Sequence, residues 1–242
     1  MALLEDGLKA VGIEEEKIPV LAEKMEKYIA EIALCNSAFN LTNTSDHDEL
    51  VTRHILDSLA AYVPVRNFLK GRAEGAVNGA ASVGDGDASV VNGTETSSDG
   101  SGAVTVGDIG SGGGLPGIPL AAAFPQYSFT LVERMSKRCG FLEKTASLLG
   151  LSNVTVLEEQ AEFVPQKSFD LVTFRAFRPL DLKMTKKLLR LRKDGGILAA
   201  YKAKMENIRA EMEGIKKLVP EYKVIQLHVP GLEDSERNLV LV

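Results

Sequence analysis

Residues Val104 to Leu120 read Val-Thr-Val-Gly-Asp-Ile-Gly-Ser-Gly-Gly-Gly-Leu-Pro-Gly-Ile-Pro-Leu. A short run rich in β-branched residues closes at Asp108, and four glycines then fall within the five positions 110–114. An apolar run from Ile118 to Phe124 follows with helical character. The order is strand, glycine-rich turn, helix. A turn of this composition lets the backbone bend sharply and approach a ligand closely, because glycine has no Cβ and tolerates positive φ.

Two ligand classes use that geometry. A dinucleotide fingerprint runs through Gly112, Gly114 and Gly117, with an acid about 20 residues on at Glu133. The alternative is the acid-x-Gly-x-Gly-x-Gly signature of methyltransferases that use S-adenosyl-L-methionine (AdoMet), here Asp108, Gly110, Gly112 and Gly114. In that pattern the acid closes the first strand and the loop runs beside a methionine moiety instead of a pyrophosphate.

The sequence downstream alternates. Strands are predicted at Ser128–Glu133, 153–157, Phe169–Phe174 and 196–201, and helices at 136–149, 180–193 and 205–218, with a short helical turn reaching Phe163. Two runs without an intervening helix, 223–229 and 238–242, predict an antiparallel closing pair. The expected fold is α/β and Rossmann-like: a mostly parallel seven-stranded sheet with an antiparallel C-terminal edge, preceded by N-terminal helices. That edge favours the AdoMet reading over the dehydrogenase. The first third is helical by periodicity, over 14–39 and again from Asp46 or Asp48 to Ala60.

Net charge is −5, from 28 basic and 33 acidic side chains. Residues 71–104 hold five of the acids against one arginine and lack Leu, Ile, Phe, Tyr, Trp and Met. Such a segment cannot bury enough apolar area to offset the entropy of ordering it. The expected organisation is a helical segment over 1–70 packed on the core, a mobile acidic insertion over 71–103, and a ligand-binding core over 104–242. Without the insertion the charges nearly balance, so RNA is not excluded as a partner. No apolar run approaches the roughly 18 residues of a membrane span. The N-terminus lacks a secretory pattern, and Cys35 and Cys139 fit reduced thiols, so a cytoplasmic location and no metal are expected.

Ligands of such sheets lie beyond the strand carboxyl ends. Glu133 there can accept from both ribose hydroxyls, and Ala161-Glu162 stands where an adenine edge would lie. Strand four ends Phe174-Arg175-Ala176-Phe177-Arg178-Pro179. The Asp/Asn-Pro-Pro-aromatic motif common in methyltransferases of exocyclic amines is absent. An arginine beside aromatics suits a guanine, whose N7 carries no proton and whose methylation needs no general base. Lys137, Arg138 and the basic run Lys183, Lys186, Lys187, Arg190, Arg192 and Lys193 either hold phosphates or form a solvated face. On composition alone Arg53, His54 and Asp57 also read as a solvated helix face.

Several stretches together resemble one family, the bacterial methyltransferases that modify N7 of a guanosine in 16S ribosomal RNA (RsmG/GidB). They are Asn40-Leu41-Thr42, Arg53-His54-Ile55-Leu56-Asp57-Ser58-Leu59, the run from Asp108 to Pro119, Lys137-Arg138 with Phe141-Leu142, Arg175-Ala176-Phe177 and Tyr201-Lys202. The resemblance implies AdoMet held by Asp108, Gly110, Ser111, Gly112, Leu115, Glu133, Ala161, Glu162 and Arg175. It implies a 16S rRNA or small-subunit substrate met by Arg53, His54, Lys137, Arg138, Arg178 and Lys202, with no membrane and no obligate protein partner. No catalytic base is expected, and Arg175 positions guanine or cofactor. The chain departs from the family pattern in the insertion and at Ala203, where glycine is common.

Overall fold

The structure, a computed structural model, describes residues 2–80, 103–175 and 179–242. Helix α1 (Ala2–Ala10) leads through a short 3-10 turn into α2 (Ile18–Phe39), which opens with Pro19 in its first turn, where the missing N–H costs nothing. Asn40 ends α2 in the left-handed conformation, at φ 48°. Helix α3 (His47–Leu50) is capped by Asp46, whose carboxylate accepts from the Glu49 amide at 2.9 Å.

The single helix expected from 46 to 60 is interrupted. Val51–Leu56 forms a π-helical turn between α3 and α4 (Asp57–Leu59). Apolar spacing does not betray such a turn, which widens the helix without changing which residues are hydrophobic. Helix α5 runs Tyr62–Ala80. Residues 71–80 of the segment read as an insertion therefore continue a helix, and 81–102 lie outside the described residues. Arg72 anchors this part, its guanidinium reaching Asp170 Oδ1 at 2.6 Å.

The core alternates through β1 (Thr105–Ile109), α6 (Gly117–Ala123), β2 (Ser128–Glu133), α7 (Ser136–Leu148), β3 (Val154–Glu158), β4 (Phe169–Arg175), α8 (Leu182–Leu189), β5 (Arg192–Lys202), α9 (Met205–Ile215), β6 (Lys223–Gln226) and β7 (Asn238–Leu241). The sheet order is β3-β2-β1-β4-β5-β7-β6. All pairs are parallel except β5–β7 and β6–β7, which are antiparallel as expected. Helix α8 is shorter than the predicted 180–193. Asp181 caps its start by accepting from Met184 N at 2.6 Å, and after Leu189 the Lys167 and Phe169 amides take the Arg190 and Leu191 carbonyls and draw the chain into β5.

Side chains alternate across the sheet. Val106, Leu131, Leu171 and Ala199 face one apolar cluster shared with α2, α5, α6 and α7, where Tyr62 stacks on Phe124 at 4.8 Å between centroids. Val172, Phe174, Leu198 and Val240 face the other, under α8 and α9. The N-terminal helices thus share a core with the sheet. Strand order reverses between β1 and β4, and the crevice at that switch point lies beyond Ile109 and Arg175.

Candidate functional site

Asp108 near the end of β1 is 1% exposed, and its Oδ2 accepts from the Gly117 amide at 3.0 Å. Ser111 Oγ donates to the Asp108 carbonyl at 2.9 Å. Burial pushes the Asp108 carboxyl up to about 7. The side chain is therefore turned inward, tying the glycine-rich loop to the start of α6. Gly117 is required there, because a Cβ would stand 2.4 Å from Leu131 Cδ2 and 2.6 Å from Asp108 Oδ2. Gly114 has φ +91°, and Tyr28 donates its hydroxyl to the Gly113 carbonyl.

Beyond the strand ends lies a cleft of about 450 Å³ lined by Gly110, Glu133, Arg138, Ala161, Glu162 and Arg175, with Ile109, Val132, Arg134, Met135, Glu159, Gln160, Met184 and Lys187. Five of the nine residues expected to hold the cofactor are brought together here. Asp108, Ser111, Gly112 and Leu115 are not among the lining residues; Asp108, Ser111 and Leu115 are buried and Gly112 is half-buried. Glu133, 5% exposed, accepts from the Gly112 amide and the Met135 amide, both at 3.0 Å. A carboxylate has about four lone-pair positions, so two remain for a ligand.

A second cavity, about 290 Å³, is lined by Arg53, His54, Asp57, Arg175, Tyr201, Lys202, Ala203, Leu227 and Arg237. Arg175 lines both cavities. Its Nη1 donates to Asp57 Oδ2 at 2.6 Å and its Nη2 lies 3.3 Å from His54 Nδ1. Nη1 also lies 3.3 Å from the Arg53 carbonyl, which the π turn turns toward it. Asp57 accepts Arg237 Nε on its other oxygen at 2.9 Å. The reading of Asp57 as a solvated residue is thus corrected: it is 6% exposed because two arginines distant in sequence close over it.

Burial, and next the Arg175 charge, lower the His54 pKa to about 4. Lys202 is paired with Glu211 at 2.6 Å and lies over the Phe174 ring at 5.9 Å. The turn at Ala203 needs no glycine. Among the described non-glycine residues only Asn40 and Lys167 have positive φ, and Asn238 Nδ2 holds the Ala203 carbonyl at 2.5 Å.

The remaining expected RNA contacts divide. Arg138 lines the first cleft and donates to the Asn40 carbonyl at 3.3 Å, Lys137 is exposed on α7, and Arg178 lies outside the described residues. Much of the basic run is engaged within the protein. Arg190 Nη2 holds the carbonyls of Ala161, Glu162 and Val164, Lys187 pairs with Glu162, Arg192 meets the Val242 carbonyl and Lys193 meets Asp170. Arg237 escaped the sequence reading altogether, since Glu236-Arg237-Asn238 has no spacing that points to a site.

The sequence is 38% identical to a ribosomal RNA small subunit methyltransferase G of Treponema denticola, over 99% of this chain and 93% of that protein. It is 31% identical to the protein of that description from Treponema pallidum, over 100% and 93%. Among solved structures it is similar to a predicted O-methyltransferase of Agrobacterium tumefaciens (19% identity, TM-score 0.49, covering 57% of this chain and 72% of that one). A SAM-dependent methyltransferase of Aquifex aeolicus is similar at 18% identity, TM-score 0.45, covering 57% and 81%. The family profile described as rRNA small subunit methyltransferase G, GidB, matches residues 21–72 and 89–240, and the chain belongs to that family.

Proposed function

We propose that this protein transfers the methyl group of AdoMet to N7 of a guanosine in 16S ribosomal RNA, with AdoMet in the larger cleft and the guanine in the smaller cavity. The observation that carries this reading is that the two cavities meet at Arg175. A cleft of about 450 Å³ is of the size small-molecule sites have, about 300–1,000 Å³. Its chemistry fits the cofactor: Glu133 keeps lone pairs for ribose hydroxyls, Gly110 offers close backbone approach, and Ala161-Glu162 provides the edge for adenine. AdoMet supplies an electrophilic methyl on sulfur when bound.

The chain's own contribution is alignment. N7 of guanine attacks with a lone pair and releases no proton, so the reaction gains most from placing that atom in line with the donor. The second cavity matches this demand. His54 is too weak a base to take a proton at neutral pH. Asp57 sets one carboxylate between Arg175 and Arg237, so a base that becomes cationic on methylation meets less positive charge than the two arginines alone would present. Arg175 is the positioning residue, Arg53 and Lys202 stand at the cavity wall, and exposed Lys137 is available to phosphates. The test is incubation with methyl-labelled AdoMet and small-subunit particles lacking the modification, followed by nucleoside analysis. Label in 7-methylguanosine is expected, and label in another nucleoside would overturn the assignment of the atom.

A further inference from the structure

His54 lines the smaller cavity and carries a buried ring nitrogen that has no partner among the described residues. Arg175 Nη2 lies 3.3 Å from His54 Nδ1. A guanidinium only donates, so Nδ1 accepts and the neutral ring carries its proton on Nε2. The opposite tautomer would set two donors against each other. A second proton is disfavoured by burial and by Arg175 and Arg53, against the weaker pull of Asp57 and Glu49. The His54 carbonyl is gripped by Ser58 Oγ at 2.6 Å, which fixes the backbone from which the ring projects. Nε2 itself is buried with no partner among the described residues. A donor left in that state is costly unless something else satisfies it.

We propose that His54 is a specificity-determining positioning residue, whose Nε2–H donates to the O6 carbonyl of the target guanine. This rests on the guanine-N7 reading above and assigns the group that reads the base. Guanine presents O6 as an acceptor beside N7, whereas adenine presents an amino donor at the same place. Adenine would therefore meet the Nε2–H donor to donor. Bonding at O6 leaves the N7 lone pair free to attack. A neutral donor also adds no charge beside a base that turns cationic, which an arginine or lysine in its place would do. Nε2 has no surface open to solvent, so O6 reaches it only as the cavity wall adjusts on binding.

The experiment uses the full protein and small-subunit particles reconstituted with guanine, or with 2-aminopurine, at the position that wild type methylates. 2-Aminopurine keeps N7 and lacks O6. Wild type is expected to lose at least about tenfold in kcat/KM on 2-aminopurine. His54→Ala should lose a similar factor on guanine and discriminate little between the two bases. His54→Gln, which restores an N–H donor, should regain part of the discrimination. AdoMet titration of each variant should match wild type and shows that the cofactor cleft is intact. An undiminished guanine to 2-aminopurine ratio in His54→Ala and His54→Gln would overturn the proposal. Absence of 7-methylguanosine with wild type on guanine particles would instead refute the reaction on which it rests.

Discussion

Arg175 and Asp57, 118 residues apart in sequence, meet at 2.6 Å between Nη1 and Oδ2 where the two cavities join. Arg175 closes the central strand of the sheet and Asp57 begins the helix after the π turn, so this pair fastens the N-terminal helices to the strand ends. Removing Asp57 leaves Arg175, 13% exposed at its side chain, and Arg237, 29% exposed, without their shared carboxylate. Asp57→Ala should lower unfolding free energy by about 3 kcal/mol, read from urea denaturation. Asp57→Asn, which keeps the shape, should cost less. Equal stability of all three proteins would contradict the role given to the pair.

Arg175→Lys keeps the charge and loses the planar fork that serves Asp57, His54 and the π-turn carbonyls together. Methyl transfer should fall by about tenfold or more, on the view that a lysine cannot replace an arginine at a multidentate site. Single-turnover rates at saturating AdoMet would show this. A wild-type rate would remove Arg175 from the positioning role.

The Asp108 carboxyl is raised to about 7 against an ordinary value of 3.8, with burial the largest cause. The folded protein therefore holds a proton that the unfolded chain has released between those two values. Stability from this group is full below about pH 4 and is lost as pH rises through 7. Asp108→Asn keeps an acceptor for the Gly117 amide and removes the titration. The wild type should lose stability relative to this variant between pH 4 and 7, measured by urea midpoints. Parallel profiles would contradict the burial argument.

His54 has the opposite sign. Its pKa, lowered from 6.5 to about 4, means that stability from the neutral ring is present above 6.5 and lost as pH falls toward 4. With Arg175, Arg53, Asp57 and Glu49 facing it, the ring should stay neutral through the working range. The chemical step measured from pH 6 to 8.5 should show no inflection that depends on His54. An inflection near 6.5 that vanishes in His54→Gln would contradict this state of the ring.

Arg72 should matter for stability although it lies in a stretch of low-complexity composition. It donates to Asp170 Oδ1 from Nε at 3.1 Å and from Nη2 at 2.6 Å, while Thr105 and Lys193 hold Oδ2. Arg72→Ala should cost about 1–2 kcal/mol, less than loss of a fully buried pair because Lys193 remains on the carboxylate. Replacement of Glu74, exposed on the same helix, is expected to change stability by no more than about 0.5 kcal/mol.

The strand–loop–helix unit at Val104–Leu120 was legible because its signals are local: a β-branched run, glycines where the backbone turns, an acid at a strand end. Glu133 was legible for the same reason. The roles of neighbouring residues were not. Asp108 reads as a ligand-facing acid by spacing, yet its side chain turns inward to Gly117. The pairing of Asp57 with Arg237 follows no pattern, since it spans 180 residues and exists only once β7 lies beside β5. The π turn that aims Arg53 and His54 was invisible to periodicity, because the apolar positions around it still fit a helix. The engagement of much of the basic run was not legible either, since those charges satisfy carbonyls and carboxylates on neighbouring loops.

The most direct measurement is transfer from trideuteromethyl-AdoMet to small-subunit particles that lack the modification, with wild type and Arg175→Ala in parallel and nucleosides read by mass. The account predicts trideuterated 7-methylguanosine from wild type and at least about a hundredfold less from Arg175→Ala, while both proteins bind the particles. Label in any other nucleoside, or equal 7-methylguanosine from both proteins, would contradict the claim that guanine N7 meets the methyl group where the two cavities join at Arg175.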